Sequence, residues 1–236
     1  MRIFFVRHGH PNYKEDCLTD LGVQQADAAA ERLKHEQIDK FYASTNGRAR
    51  ETAEHINKYH KKETIPLQFM RELSFMKVEP EFEDKFPDIV TETMGDPWKA
   101  VTKTVAEGKT LHDGNWLESP LYAKFKYSKR AIWVGEQFDE FLSTFGIKRC
   151  GEYYIKTEEC RDETILVASH AGSSSAVLSH LFNLPFPFVI HVMRPNFTSV
   201  TVVEINGEVG ATVSPQLLIF NDAMHIQSTN VQNKYH

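Results

Sequence analysis

Apolar residues along the chain fall into short unbroken runs separated by stretches of helical period. Residues 3–6 form four consecutive apolar positions, the pattern of a strand buried on both faces. After a loop, Thr19 is placed to cap a helix in which Leu18, Leu21, Ala26, Ala29 and Leu33 recur at spacings near three and four. Lys40–Ser44 reads as a second strand. A second helix is predicted from 47 to about 60, with Ala49, Thr52, Ala53 and Ile56 on one face. Residues 66–69 give a third strand, and Thr164–Ser169 gives the clearest buried one. A helix then follows from 171 to about 182, closed by Leu184-Pro185. Residues 199–205 and 216–220 predict two more strands linked through the Asn206-Gly207 turn signal.

Between about 77 and 130 the alternation breaks. This stretch carries Pro80, Pro87, Pro97 and Pro120. Helical period returns over 122–145. The expected fold is α/β, with a mostly parallel central sheet, helices on both faces and an inserted lid or cap subdomain. One domain is expected over 1–236, with the lid insert at about 77–130.

Composition narrows the function classes. With 41% hydrophobic and 25% charged residues the chain suits a soluble globular protein, and a net charge of −5 speaks against nucleic acid as partner. No apolar run approaches membrane-spanning length, so no membrane partner is expected. Cys17, Cys150 and Cys160 are an odd count without framework spacing. Together with an N-terminus that Arg7 interrupts after a short apolar run, they predict a reduced, cytoplasmic setting. The acceptor pattern Asn196-Phe-Thr carries no weight in that setting.

Ligands in doubly wound sheets bind at the carboxyl ends of strands. Arg7, His8 and Gly9 stand after the first strand, Ser44 and Arg48 after the second, Arg71 and Glu72 after the third, and His170 after the strand ending at Ser169. This set suits phosphoryl transfer. Arginine forks match the equatorial oxygens of a phosphoryl group, a neutral imidazole is a competent nucleophile, and a carboxyl can move the proton. Glu79 and Glu81 are alternative carboxylates for that last role. His8-x-His10 lacks a third ligand at metal spacing, so neither metal nor cofactor is expected. Lys124, Lys126, Lys129 and Arg130 read as a solvated helix face. Trp98, Trp116, Phe75, Phe82 and Phe86 read as a subdomain core.

Five segments together resemble the histidine phosphatase superfamily, its phosphoglycerate-mutase-like branch. They are Arg7-His8-Gly9, Leu18-Thr19-x-x-Gly22-x-x-Gln25-Ala26, Ser44-x-x-x-Arg48-Ala49-x-x-Thr52-Ala53, Glu72 within Arg-Glu-Leu-Ser-Phe, and Ser169-His170-Ala171-Gly172. The resemblance implies a metal-independent phosphomonoesterase acting on a small phosphorylated substrate. His8 would become the phosphohistidine, Arg7, Arg48 and His170 would complete the phosphate pocket, and Glu72 would be the general acid and base. It also implies a pocket-lining role for Asn12. The chain departs from the family at His10, Pro11 and Ala171 and lacks the Trp-Asn pair of the mutases, which favours hydrolysis. A mutase, a metal-dependent hydrolase and a non-catalytic phosphoryl-binding protein are the other readings. The substrate's identity and the oligomeric state are left open.

Overall fold

A computed structural model describes residues 1–73, 85, 96–123 and 125–227. In chain order the elements are β1 (Arg2–Arg7), β2 (Pro11–Asn12), β3 (Cys17–Leu18), α1 (Asp20–Leu33), β4 (Lys40–Ser44), α2 (Gly47–Asn57) and β5 (Thr64–Leu67). There follow α3 (Asp96–Ala106), α4 (Lys126–Ser143), β6 (Ile147–Cys150), β7 (Tyr153–Lys156), β8 (Thr164–Ser169), α5 (Ala171–Leu181) and α6 (Phe186–Val192). The last are β9 (Val200–Glu204), β10 (Thr212–Val213), β11 (Gln216–Asp222) and α7 (Met224–Gln227).

The main sheet has the order β11-β9-β1-β8-β4-β5. Its strands β1, β8, β4 and β5 run parallel, and β9 and β11 complete one side antiparallel. The sheet is flanked by helices, as the strand–helix alternation predicts. Phe4, Val6, Phe41, Ala43, Leu166 and Ala168 alternate along three strands onto one face, where Ala29, Ala30 and Leu33 of α1 and Ala53 and Ile56 of α2 cover them. On the opposite face Tyr42 meets Phe145 edge-on, with ring centroids 6.4 Å apart.

Some expectations shift. The third strand is β5, two residues earlier than predicted, and a 3-10 turn over Gln68–Met70 follows it. Pro66 is tolerated there because β5 is an edge strand and needs no further ladder donor. β9 and β11 do pair, from Glu204 to Gln216, but Asn206-Gly207 is not a tight hairpin. The connection carries β10, which joins β7 and β6 in a separate three-stranded sheet. The β6–β7 hairpin, α3 and α6 escape the hydrophobic pattern. In α6, Pro187 sits in the first turn, where a missing N–H costs nothing, so the proline signal closes one helix and opens another.

The chain divides into two compact units, Met1–Arg71 with Leu142–His170 and Pro195–His236, and Glu72–Phe141 with Ala171–Arg194. The second unit has a small core of Ala100, Val101 and Tyr122, against which Leu111, Trp116, Leu121 and Phe125 pack. Trp116 thus takes the core position expected of it. Phe75, Glu79, Glu81, Phe82, Phe86, Lys124 and the side chain of Trp98 lie outside the described residues. Arg130 corrects the solvated-face reading: it is fully buried, with its guanidinium 5.8 Å from the Trp133 ring centroid. Its long stem and planar head suit packing against an aromatic face.

Candidate active site

The register of three parallel strands brings the candidate residues together. Arg7 pairs with Ser169, and Ala43 with Ala168, so His8, His170 and Ser44 emerge side by side at the carboxyl ends. The His8 and His170 ring centroids are 5.0 Å apart, and His170 Nε2 lies 2.8 Å from Ser44 Oγ. His8, Arg48 and His170 are all buried to within 1%.

The ionisation and tautomer of His8 follow from its neighbours. Its Nδ1 lies 2.7 Å from the Gly9 carbonyl oxygen, which can only accept, so Nδ1 carries the proton. Nε2 is therefore the lone-pair nitrogen, and it accepts from Arg48 Nε at 3.2 Å. Burial, and then the charges of Arg7 and Arg48, hold the imidazole well below the usual histidine pKa against the Gly9 bond that favours the charged form. The result is a neutral imidazole whose Nε2 electron pair is engaged by the pocket guanidinium.

Each arginine is oriented by groups the sequence does not single out. Arg48 pairs through Nη1 with Asp16, whose other oxygen accepts from Gly47 N at 2.8 Å and Asn46 Nδ2 at 3.3 Å. Burial raises the Asp16 pKa, but the Gly47 bond, the Arg48 charge and the side-chain bonds outweigh it, so the carboxyl titrates below its ordinary value. Arg7 donates to the Pro195 carbonyl at 2.8 Å, and its guanidinium lies 4.0 Å from the Phe197 ring centroid. Thr198 holds that segment with φ +53°, an uncommon conformation for a non-glycine residue. Its N–H donates to Arg7 O at 3.0 Å, and its Oγ lies 3.0 Å from His225 Nε2. The acceptor pattern Asn196-Phe-Thr is therefore a largely buried turn beside Arg7, with Asn196 itself half-buried. Asp16 and Phe197 lack any motif signal, since a loop acid and a lone phenylalanine are ordinary.

The motif residues around the pocket have structural tasks. Thr52 on α2 accepts from Gly9 N at 3.1 Å. Gln25 accepts from His10 N at 2.7 Å, and Thr19 caps α1 through Gly22 N at 3.1 Å. A Cβ at Gly22 would lie 2.2 Å from His10 O, so this close approach requires glycine. His10 Nδ1 lies 2.9 Å from Thr19 Oγ1, and Asn12 Oδ1 accepts from Lys14 N at 3.1 Å. Asn12 thereby fixes the turn after β2. Among the described residues, no group of three or more His, Cys, Asp or Glu is arranged to hold a metal ion.

Glu72 belongs to the second unit. Its Oε1 accepts from Leu73 N at 3.0 Å and from Gly172 N at 3.1 Å, at the start of α5. A Cβ at position 172 would lie 2.3 Å from that oxygen, so the glycine leaves room for the carboxylate.

Comparison with solved structures supports the same architecture. A phosphoserine phosphatase mutant from Entamoeba histolytica, in complex with phosphoserine, aligns with TM-score 0.60 and 18% identity, over 95% of this chain and 98% of that one. A mycobacterial glucosyl-3-phosphoglycerate phosphatase aligns with TM-score 0.60 and 19% identity, over 93% and 98%. YhfR of Bacillus stearothermophilus aligns with TM-score 0.60 and 18% identity, over 95% and 98%. At these identities the likeness establishes the fold. Among curated proteins no sequence matches. The family model described as "Histidine phosphatase superfamily (branch 1)" matches residues 3–114, the stretch holding Arg7, His8, Arg48 and Glu72. Over those 112 of the 236 residues the sequence matches the pattern of the histidine phosphatase superfamily, branch 1.

Proposed function

We propose that the protein is a phosphomonoesterase that carries the phosphoryl group on His8 and acts on a small phosphorylated substrate. The observation that carries this reading is the neutral His8 imidazole, its Nε2 electron pair directed at Arg48 and its ring 5.0 Å from His170. Nε2 attacks phosphorus as the ester P–O bond breaks, and Glu72 gives the departing alkoxide its proton. Water then attacks the phosphohistidine, passes a proton to Glu72, and the P–N bond breaks. Arg7, Arg48 and His170 balance the charge on the equatorial oxygens, while Asn12 shapes the loop beside them. Two of the structural neighbours are phosphatases of phosphoserine and of glucosyl-3-phosphoglycerate, which supports a small monoester as the substrate class.

The decisive experiment presents a broad phosphomonoester panel and reads release of inorganic phosphate. Acid-quenched protein given labelled substrate holds acid-labile, base-stable label, and His8→Ala removes both label and turnover while the circular dichroism spectrum is kept. Wild-type turnover in His8→Ala refutes the mechanism. Transfer of the group to a second alcohol without release identifies a mutase instead.

A further inference from the structure

Tyr13 is the one large aromatic side chain at the tip of the β2–β3 hairpin, where Tyr13, Lys14 and Glu15 are all exposed. Tyr13 is 59% exposed, yet the Arg48 guanidinium lies 5.4 Å from its ring centroid. The hairpin that presents it is pinned on both legs. Asn12 Oδ1 accepts from Lys14 N at 3.1 Å and from Glu15 N at 3.4 Å. On the other leg Asp16 is tied to Gly47 and Arg48, and Leu18 N donates to Glu51 Oε2 at 2.6 Å. The ring is thus held beside the phosphate pocket, with one face against a guanidinium and much of the rest toward solvent.

We propose that Tyr13 is a specificity-determining residue that selects phosphate monoesters whose alcohol carries a flat ring. This rests on the phosphomonoesterase reading above. Arginine–phosphate bonds of about 2.8 Å seat the phosphoryl group against Arg48 and bring the esterified alcohol within side-chain reach of the Tyr13 ring. A ring-bearing alcohol there removes both apolar faces from water and gains aromatic contact, whereas an acyclic alcohol covers little of the tyrosine. An exposed aromatic fixed in place costs little further side-chain entropy when it is covered.

The test compares phenyl phosphate with glycerol phosphate on wild type, Tyr13→Ala and Tyr13→Phe, and takes the ratio of the two kcat/KM values so that intrinsic reactivity cancels. Tyr13→Ala is expected to lower that ratio about tenfold, through KM for the aryl ester. Tyr13→Phe is expected to keep it. An active Tyr13→Ala protein with an unchanged ratio overturns the assignment, because a tyrosine that merely supports Arg48 affects both esters alike. A wild-type protein that releases phosphate from no ester overturns the hydrolase reading itself.

Discussion

At the scale of single residues, the site is a set of titratable groups whose burial fixes their charge. A free histidine is half protonated near pH 6.5, but His8 is held well below that by burial and two guanidinium groups. An NMR titration of its imidazole should therefore show no protonation through pH 6.5, and a His8 signal that titrates there would remove the neutral nucleophile from the mechanism. His225 behaves similarly for a different end. Burial lowers its pKa to about 4, against the opposing pull of Asp222. Between pH 6.5 and 4 the unfolded chain binds a proton that the folded one refuses, so folding stability falls as the pH falls. The expected loss is about 3 kcal/mol over that window. Urea unfolding of wild type and His225→Gln at the two pH values should differ by that slope, and identical slopes would refute the buried-base account.

At the scale of elements, a glycine decides how closely the β2–β3 hairpin approaches α2. A Cβ at Gly47 would lie 2.1 Å from Asp16 O, so Gly47→Ala must push the β2–β3 hairpin off the start of α2. We expect a loss of about 1–3 kcal/mol in stability, together with a rise in KM as Asp16 releases Arg48; an unaltered melting temperature would mean that the loop gives way freely. Much of this element layer was readable beforehand. Lys40–Ser44 and Thr164–Ser169 matched to the residue because buried parallel strands are continuous apolar runs bounded by polar residues. α6 was hidden by Pro185 and Pro187, which read as a stop although a proline in the first turn starts a helix. The hairpin of β6 and β7 mixes Lys148, Arg149 and Lys156 with apolar positions, and so shows no clean alternation. His8, Arg48 and His170 could be found because strand ends are marked by sequence. Asp16 and Phe197 could not, since their importance lies in contacts across 32 and 190 residues of chain.

At the scale of the whole molecule, the pocket draws on β1, β4, β8 and the turn before β9, four segments far apart in sequence. Its positive field comes from side chains fixed before any ligand arrives. Vanadate should accordingly compete with substrate, and activity should persist in excess chelator; loss of activity restored by a divalent cation would instead indicate a metal-dependent hydrolase. The sheet order has another consequence, for how the protein is made. β1 lies between β8 and β9, and Thr164, the partner of Arg2, is 162 residues further along the chain. At ribosomal rates of about 5–20 residues per second, the apolar segment Ile3, Phe4, Phe5 and Val6 waits roughly 8–30 seconds for either neighbour. Throughout that interval both edges of this strand lack their ladder partners. His8 gains its neighbour His170 only when the last third of the polypeptide has emerged.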